Sequence, residues 1–591
     1  MSETRTTILT IEELWKNSGY DQTPLEKNII KKSIVQEVET IEYFITGSIY
    51  PVKIQSYSNY NTKKNQIESN NTNNINHKEY TSLSSQNHLR QDNATLNQKS
   101  RVYCKLSRRI SDINPPVILL CDEPMVDIAN KNVMQYLNLG YAVMQYDYAG
   151  ENPFHQRYTI YPPMLAHCNF YLHPENAYNV PQDIKKSVWY EWSIISLRVI
   201  KLIMDTDTVS HNGIVIIGSG FGSVNAIKVS VLFSNIVGLI LNYNFDLSLQ
   251  EDSNAATMKL LLGNDAYIKK INFPTLIQVA SNESDGSFDK NMKSFEHIKS
   301  LNEHSRVSIS VSKNHDLLKE QSNNEQLWLL NLLYLESFQN FYEMPELISR
   351  IENNTVYIQL SINANTVKSV SIYLSSNVGE DNIAPAYRYW RSLKVENIID
   401  DEYISKFIMY YGKEYVFFAS IEYINGFHFS TKLHRIGTTK KNSGVKETSK
   451  KSIIYDGSMG IDNFTAINIE AIQKGELVIQ KGPLDIVGIS GQGGELAIFK
   501  IGGIHYKGKL DDILQVTMYS SVEQDIWFSV VSSKNYIDYV CKKHISKQKN
   551  WTKILLLQED FKGIGTLDFS TVIFFRVNTQ SPIIISNIMW L

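Results

Sequence analysis

The sequence predicts an α/β fold with a mainly parallel sheet covered by helices on both faces, followed by two all-β sandwich domains. Short apolar strands alternate with helical segments from about residue 101 to residue 345. Beyond Pro345 the helical period disappears, and short alternating runs at sandwich-like spacing continue to residue 591. This length suffices for three or four domains at about 150 residues each.

Composition excludes several classes of protein. The 58 Lys and Arg residues nearly balance 61 Asp and Glu residues, giving a net charge of −3, so neither a nucleic-acid-binding arm nor a basic membrane-binding surface is expected. The 4 cysteines lack CxxC spacing, which excludes a disulfide scaffold and a Cys-rich zinc module. No secretory signal and no run of about 18 apolar residues is visible, so we expect a cytoplasmic protein that does not span a membrane.

The first 100 residues are predicted to contain a hairpin and a polar insertion. Residues 41–46 and 52–57 alternate well enough for two strands joined around Gly47. From 58 to 100 the chain is almost wholly Asn, Ser, Gln, Lys and Thr. Such a stretch cannot bury enough apolar surface to offset the entropy of ordering, so we predict a disordered insertion in a surface loop.

The α/β domain is predicted to occupy residues 1–345. Its strands are predicted over residues 117–121, 141–146, 213–217, 236–241, 275–280 and 307–311. Its helices are predicted over residues 128–139, 189–204, 223–233, 290–301 and 324–341. A loop rich in Tyr, Pro, His and Asn fills residues 151–186, where its aromatic rings are expected to cover the sheet edge or to line a ligand pocket.

Two β domains are predicted after it. An immunoglobulin-like sandwich is expected over 346–437, a linker of Lys, Ser, Thr and Gly over 438–451, and a jelly-roll domain over 452–591. The segments 525–531, 550–557, 559–562 and 588–591 resemble a galactose-binding-type jelly roll. That resemblance implies a carbohydrate-binding module.

The sharpest turn of the α/β domain is the run Gly-Ser-Gly-Phe-Gly-Ser at 218–223, between an apolar strand and a helix. Function in a parallel α/β sheet lies at such carboxyl strand ends. In a nucleophile elbow, G-x-S-x-G, the apex holds a serine, whereas here it is Gly220 and the nucleophile is absent. A dinucleotide fingerprint is the alternative, but the acidic residue expected about 20 residues later is missing. A turn that only packs the helix on the sheet is the third interpretation.

Five segments around this turn carry a family resemblance. They are Pro-Val-Ile-Leu-Leu at 116–120, Gly-Tyr-Ala-Val-Met-Gln-Tyr-Asp-Tyr-Ala-Gly at 140–150, Arg-Tyr-Thr-Ile-Tyr-Pro at 157–162, Trp-Tyr-Glu-Trp at 189–192 and Phe-Pro-Thr-Leu-Ile-Gln-Val-Ala at 273–280. Through them residues 10–345 resemble the acetylxylan esterase and cephalosporin-C deacetylase group of the α/β-hydrolase superfamily, within its dienelactone-hydrolase-like bacterial proteins. The resemblance implies an α/β-hydrolase-like fold and a carboxyl-ester hydrolase acting on acetylated carbohydrate or a similar small ester, without a cofactor or metal.

The resemblance also implies catalytic roles. His315 stands at the position of the general base, and Glu283 or Asp285 at that of the acid that orients it. Gly220 stands at the nucleophile position without a hydroxyl group, and the backbone N–H of Phe221 at an oxyanion position.

Other residues extend or weaken this implied site. Tyr158 and Tyr161, in the 151–186 loop, are the candidate substrate-binding residues. Asp122-Glu123-Pro124 stands where such hydrolases usually have His-Gly; its two carboxylates would repel an oxyanion, and proline donates no N–H.

We therefore expect a degenerate hydrolase scaffold that is non-catalytic or weakly active and is used for binding. Its ligand, a carbohydrate or a small ester, would be held by the 151–186 loop or by the C-terminal domain. The alternative is a carboxyl-ester hydrolase, and a dinucleotide-binding protein is the third possibility. No cofactor, metal site or nucleic-acid partner is expected, and the sequence leaves the oligomeric state open.

Overall fold

The computed structural model describes most of the chain. The described residues are 10–51, 97–181, 183–243, 245, 255–283, 287–312, 319–333, 344–379, 384–398, 401–410, 413–437, 450–461, 464–465, 477–491, 495–534 and 536–591. Within these ranges, no helix is both long and apolar enough to cross a membrane.

Within the described residues, the α-helices all lie in the N-terminal α/β part. They are α1 (Ile11–Lys16), α2 (Met134–Leu137), α3 (Val188–Met204), α4 (Phe221–Ser230), α5 (Ala255–Leu261), α6 (Asn264–Ile268), α7 (Phe288–Leu301) and α8 (Lys319–Leu333). The strands that alternate with them are β1 (Asn28–Val35), β2 (Val38–Pro51), β3 (Asn97–Arg109), β4 (Val117–Cys121), β5 (Ala142–Tyr146), β6 (Ile214–Ser219), β7 (Ile236–Asn242), β8 (Thr275–Ala280) and β9 (Arg306–Ser310).

Strands alone follow. The middle part contains β10 (Glu346–Glu352), β11 (Thr355–Ser361), β12 (Val367–Gly379), β13 (Arg391–Leu393), β14 (Glu396–Ile398), β15 (Glu402–Ile408), β16 (Lys413–Tyr423), β17 (His428–Ser430) and β18 (His434–Gly437). The C-terminal part contains β19 (Ile453–Asp456), β20 (Phe464–Thr465), β21 (Leu477–Lys481), β22 (Val487–Gly491), β23 (Glu495–Ile498), β24 (Leu514–Tyr519), β25 (Gln524–Ser532), β26 (Asp538–Ile545), β27 (Thr552–Leu556), β28 (Val572–Thr579) and β29 (Ile584–Trp590).

The largest sheet is mixed. Among the described strands its order is β1-β2-β3-β5-β4-β6-β7-β8-β9-β17-β16-β12-β13. The pairs from β5 through β4 to β9 are parallel, as the strand–helix alternation predicted. The sheet as a whole is less parallel than predicted, because antiparallel strands of the middle part continue it beyond β9, where Val307 pairs with Ser430.

Both faces of the central strands are buried, because strand side chains alternate between faces. In β4, Val117 and Leu119 enter the core cluster that includes α3 and α4. Ile118 and Leu120 enter the opposite cluster, which includes Trp328 of α8 and strands of the middle part. The sheet is therefore covered on both faces, by α3 and α4 on one side and by α8 and strands of the middle part on the other.

The predicted hairpin around Gly47 is wrong. β2 runs straight through Gly47, and its register against β3 shifts between Thr46 and Ile49. A Cβ on Gly47 would collide with the side chain of Ser100, whose hydroxyl accepts the Ser48 N–H at 2.9 Å. Glycine here permits a β-bulge and not a turn. The second predicted strand, 52–57, lies outside the described residues, as does the predicted insertion up to residue 96; residues 97–100 begin β3.

The predicted helix over 128–139 is much shorter, since only Met134–Leu137 is helical. The Asp127 carboxylate accepts the backbone N–H of Ala129 and the side-chain amide of Asn130. These local bonds hold the chain in turns and compete with a helix, an effect that apolar spacing alone does not reveal.

The C-terminal strands form two sheets that share one core. Among the described strands the sheets have the orders β21-β22-β29-β24-β27 and β20-β23-β28-β25-β26. Val516 and Ile585 from the first sheet, and Phe528 and Val577 from the second, lie in the same buried cluster. Two antiparallel sheets over a common core are the arrangement expected of a β sandwich.

Residues 384–390, here called the joining segment, connect all three parts through alternating side chains. Tyr387 stacks on Tyr536 of the C-terminal part, with ring centroids 5.7 Å apart, and Tyr389 meets Tyr506 at 6.0 Å. The intervening Arg388 and Trp390 turn the other way and contact the α/β part. The joining segment begins with a 3-10 turn over Pro385–Tyr387, and its successive side chains from Tyr387 to Trp390 pack alternately against the two neighbouring parts.

The strongest contact of the joining segment is an ion pair. Arg388 donates two hydrogen bonds to the Asp289 carboxylate at the start of α7, one of them 2.7 Å long, and Arg435 donates a third. Burial alone would raise the pKa of Asp289, but Arg388 and Arg435 outweigh it, and the pKa lies below its usual value. This stabilisation is therefore present at neutral pH and is lost as the pH falls through the folded-state pKa of Asp289.

Arg388→Met should lower the free energy of unfolding by about 3 kcal/mol, because it leaves a half-buried carboxylate with a weaker partner. Urea unfolding at pH 7 measures the loss. Arg435→Met is the matched control: the Arg435 side chain is 42% exposed against 3% for Arg388, so its loss should stay below about 1 kcal/mol. Equal losses in both variants would show that the joining segment is not held by this pair.

Candidate functional site

The sheet topology identifies one edge as the place for a site. β4 is flanked by β5 on one side and by β6 on the other, so successive connections run in opposite directions from β4. At such a switch point a crevice opens beyond the carboxyl ends of the strands. Cys121 ends β4 and Ser219 ends β6, so the loop that starts at Asp122 and the turn at Gly220 meet at this crevice.

Gly220 has the backbone conformation of a strained strand-to-helix turn. It lies between β6 and α4 with φ 52° and ψ −120°, which residues with a Cβ rarely adopt. Its N–H donates to the carbonyl of Asn242 at 3.1 Å, and its carbonyl accepts the N–H of Ser223 at 2.9 Å. The turn therefore has the form of a nucleophile elbow, with no side chain at its apex.

The other two glycines of the turn let the helix approach the sheet. A Cβ on Gly218 would lie 2.8 Å from the Cβ of Ala226. A Cβ on Gly222 would lie 2.8 Å from the carbonyl oxygen of Asp122 and would collide with that of Cys121. The first turn of α4 is therefore pressed against the carboxyl end of β4.

Glu123 occupies the space above the apex. A Cβ built on Gly220 would lie 2.8 Å from both Cγ and Cδ of Glu123, closer than Cβ atoms approach other heavy atoms, and would collide with its Oε1. The side chain of Glu123 therefore fills the volume in which the serine of an elbow would begin. The sequence placed Glu123 near the oxyanion region but gave no sign of this contact.

The serines beside the apex do not replace the missing nucleophile. Ser223 is fully buried, and its hydroxyl donates to the carbonyl of Asn242 at 3.1 Å. Ser219 is the last residue of β6 and pairs with Asn242 in the sheet. Cys121, which also ends a strand here, is fully buried, and burial raises the pKa of its thiol to about 12. A thiol with this pKa is not a ready nucleophile at neutral pH.

The general base and one acid of the predicted triad lie outside the described residues. These are His315 and Asp285. Glu283 is described: it follows β8 and its side chain is 3% exposed. The neighbouring Asn282 donates its amide to the carbonyls of Ala386 and Arg388, which fixes the chain after β8 against the joining segment. The pairing of His315 with either carboxylate stays a prediction.

Phe221 begins α4, so its backbone N–H has no carbonyl partner within the helix. Its ring packs against Phe170, Tyr178 and Trp189, with centroids 5.6 to 6.0 Å apart. Aromatic residues of the 151–186 loop thus cover the residue that follows the apex.

The two tyrosines predicted to bind substrate lie in different surroundings. The hydroxyl of Tyr161 donates to the carbonyl of Tyr148 at 2.6 Å, and burial raises the pKa of that hydroxyl well above its usual value. The hydroxyl of Tyr158 donates to Glu151 at 3.3 Å, and burial together with Glu151 raises its pKa. Tyr161 therefore ties the loop to the end of β5, whereas Tyr158 is held by a residue of its own loop.

A buried polar chain that the sequence analysis missed supports the turn. Gln278 donates to the side chain of Asn242 at 2.9 Å, Asn242 donates to Glu325 at 3.1 Å, and Tyr136 donates to Glu325 at 2.7 Å. Burial raises the pKa of Glu325, although these two donors oppose the effect. The sequence does contain a signal for this polar chain. Asn242 and Gln278 interrupt apolar strands, and buried polar side chains need hydrogen-bond partners.

The charges at the crevice are mainly negative. Asp122 and Glu123 follow β4, and Lys131 forms an ion pair with Asp122. Tyr148 fixes the backbone here by donating to the carbonyl of Asp122 at 2.8 Å. Within the described ranges, no three His, Cys, Asp or Glu side chains are grouped so that they could hold a metal ion.

Comparison with known proteins gives structural likenesses only. No family model matches the chain, and no curated protein matches it. Similar solved structures include acetyl xylan esterase 1 from Thermoanaerobacterium sp. JW/SL YS485, with 11% identity over 55% of this chain and 93% of that one, at a TM-score of 0.37. An acetyl xylan esterase from Paenibacillus sp. R4 has 10% identity over 56% of this chain and 96% of that one, at a TM-score of 0.36. The methylesterase BT1017 has 9% identity over 55% of this chain and 62% of that one, at a TM-score of 0.34. These activities belong to the proteins named.

A positive φ alone costs a residue with a Cβ about 1–2 kcal/mol. Gly220→Ala should lower the free energy of unfolding by more than this amount. The excess comes from the collision with Glu123, so adding Glu123→Ala should recover about 1 kcal/mol or more in a double-mutant cycle. Gly140→Ala is the matched control, since Gly140 also has a positive φ, 90°, but nothing within 4 Å of an added Cβ. Urea unfolding of the set measures the coupling. If Glu123→Ala rescues the Gly140 variant equally, Glu123 does not press on the apex.

Proposed function

We propose that the chain is a non-catalytic or weakly active α/β-hydrolase-like protein that binds a carbohydrate or a small ester. The observation that carries the proposal is the side chain of Glu123 above Gly220, where an elbow would hold its nucleophile. Serine esterases need an attacking oxygen at this point and hydrogen-bond donors for the oxyanion. Here the apex lacks the oxygen, and the neighbouring loop presents a carboxylate.

The 151–186 loop supports a binding role. Tyr171 donates its hydroxyl to the carbonyl of Pro124, so the loop is attached to the segment that carries Glu123. Near these contacts Met125, Phe154, Leu172 and Tyr178 are exposed, Phe154 by 89%. Apolar and aromatic side chains of this kind can pack against a sugar face or an acyl group.

Carboxyl-ester hydrolysis is the second candidate, and the φ and ψ of Gly220 favour it, because the turn keeps the backbone of an elbow. The attacking oxygen would have to come from water or from Glu123, since Gly220 has none. In this mechanism His315 would act as the general base, and Glu283 or Asp285 would orient it, as the family resemblance implies. Dinucleotide binding is less compatible with the site, because the Glu123 carboxylate would repel a pyrophosphate at the start of α4.

A cytoplasmic location belongs to the same proposal. The 4 cysteines of the sequence are all buried free thiols, which suits a reducing compartment.

The wild-type protein should hydrolyse p-nitrophenyl acetate no faster than buffer. Gly220→Ser alone should stay inactive, since Glu123 fills the space of the new side chain, whereas Gly220→Ser combined with Glu123→Ala should exceed either single variant at least tenfold. Initial rates at pH 7 to 8 measure this. Wild-type turnover abolished by His315→Ala or by Glu123→Gln would overturn the non-catalytic proposal and identify the base or the carboxylate involved.

Binding should be detected separately by affinity electrophoresis in gels that contain acetylated xylan. The wild-type protein and the inactive Gly220→Ser variant should be retarded equally, and Phe154→Ala should reduce the retardation because it removes an exposed ring at the loop. The control is Ile113→Ala, which removes a side chain that is 91% exposed between β3 and β4. Absence of retardation in all proteins would remove acetylated xylan as a ligand of this loop.

A further inference from the structure

A cleft of about 510 Å³ lies between α7 of the α/β part and the strands β10 and β18 of the middle part. This volume is within the range of pockets that hold small molecules, and such pockets are frequent where two structural units meet. None of its described lining residues belongs to the Gly220 turn, the 151–186 loop or the joining segment. The cleft is therefore a second candidate binding site, separate from the crevice at that turn.

The buried part of the lining, here called the floor, is mainly apolar. Phe295 of α7 belongs to one hydrophobic core cluster and Leu347 of β10 belongs to the other, so the floor lies where the two clusters meet. Met344 and Pro345, which precede β10, add a thioether and an aliphatic ring to the same lining. A ligand that enters the cleft deeply must therefore present apolar surface to it.

The charged side chains of the described lining balance one another. They are two carboxylates, Glu296 and Glu346, and two ammonium groups, Lys299 and Lys432. Lys299 is half-buried and the other three are exposed, so the charges lie mainly at the rim of the cleft. An equal number of opposite charges produces no net field that would attract an ionic ligand. The ligand that suits this cleft is therefore uncharged.

The imidazole of His434 is a polar group of the lining that lacks a hydrogen bond. His434 is the first residue of β18, and its ring stacks on Phe417 with ring centroids 5.5 Å apart. Its Nε2 is buried and has no hydrogen-bond partner in the part of the chain that the structure describes. Burial, assisted by Lys432, lowers the pKa of His434 to about 4, so the ring is uncharged at neutral pH. Buried polar atoms are rarely left unpaired, which points to a bound molecule as the missing partner.

A hydroxyl group is the partner that suits this ring. An uncharged imidazole has one nitrogen that donates and one that accepts, and a hydroxyl group can do either. A half-turn of the ring about its Cβ–Cγ bond exchanges nitrogen and carbon positions while the ring plane stays against Phe417, so the ring can turn a nitrogen toward the cleft. A sugar is less suitable, because the hydroxyl groups of Thr431 and Ser300 in the lining already donate to backbone carbonyls.

We propose that this cleft binds a small uncharged aromatic alcohol, a phenol, whose hydroxyl group bonds to the His434 imidazole. The aromatic ring of the ligand lies on the floor, where Phe295 offers a ring and Met344 a sulfur atom. Because the two walls of the cleft belong to the α/β part and to the middle part, the bound phenol also stabilises their packing. The site is independent of the Gly220 turn and does not rest on the function proposed for it.

The test compares three ligands of similar shape on the full-length protein by NMR titration. p-Cresol carries an uncharged hydroxyl group, toluene carries none, and benzoate carries a negative charge. p-Cresol should bind at least tenfold more tightly than either of the others, because it alone can bond to the imidazole without bringing a charge to the apolar floor. Saturating p-cresol should also raise the midpoint of thermal unfolding.

Three variants locate the binding. His434→Phe keeps a ring against Phe417 but removes both nitrogens, so it should weaken p-cresol at least tenfold and change toluene less than twofold. The matched control is His544→Phe in the C-terminal part, where the histidine side chain is 59% exposed, and it should change neither affinity more than twofold. Met344→Trp should abolish p-cresol binding, because the larger side chain fills the cleft.

Each other outcome overturns the proposal. No binding of p-cresol by the wild-type protein removes phenols as ligands. Equal binding of toluene, or an unchanged p-cresol affinity in His434→Phe, shows that the imidazole does not hold the hydroxyl group. Tighter binding of benzoate assigns the cleft to carboxylates. A loss of p-cresol binding in Phe154→Ala but not in Met344→Trp places the ligand at the 151–186 loop, which belongs to the function proposed for the Gly220 crevice.

Discussion

The close approach of α4 to the carboxyl end of β4 is the constraint on which the centre of the α/β part depends. Gly222 lies so close to the carbonyls of Cys121 and Asp122 that a side chain at position 222 would collide with them. Because the helix begins there, the chain leaving β4 must pass beside the apex at Gly220, and the side chain of Glu123 falls on it. The close packing of α4 on β4 therefore also places the Glu123 side chain over the apex of the turn.

The turn is held rigid although it lacks a nucleophile. The carbonyl of Asn242 accepts the Gly220 N–H and the Ser223 hydroxyl, while its side chain joins the buried chain to Gln278 and Glu325. Buried polar groups cost free energy when they lose their partners, so these hydrogen bonds favour one arrangement of the turn. A rigid crevice floor suits a binding protein, because a preorganised surface loses little entropy when a ligand binds.

The central strands and the place of Gly220 at the apex of the turn could be predicted from the sequence, because both depend on local patterns. β4 and β6 are short apolar runs next to turn residues, and Gly220 occupies a fixed place in a motif. The contact of Glu123 with Gly220 could not be predicted, since it joins loops that are distant in sequence. The bulge at Gly47 and the turns at Asp127 depend on individual hydrogen bonds, which apolar periodicity does not encode. His315 and Asp285 lie outside the described residues, so the triad itself remains a sequence prediction.

Helix α7 is the element of the α/β part that holds the middle part in place. Asp289, in its first turn, is fixed by Arg388 and Arg435 of the middle part, while Phe288 packs on Trp390. Because an ion pair and an aromatic contact act on neighbouring residues of α7, the first turn of this helix keeps a fixed position against the middle part.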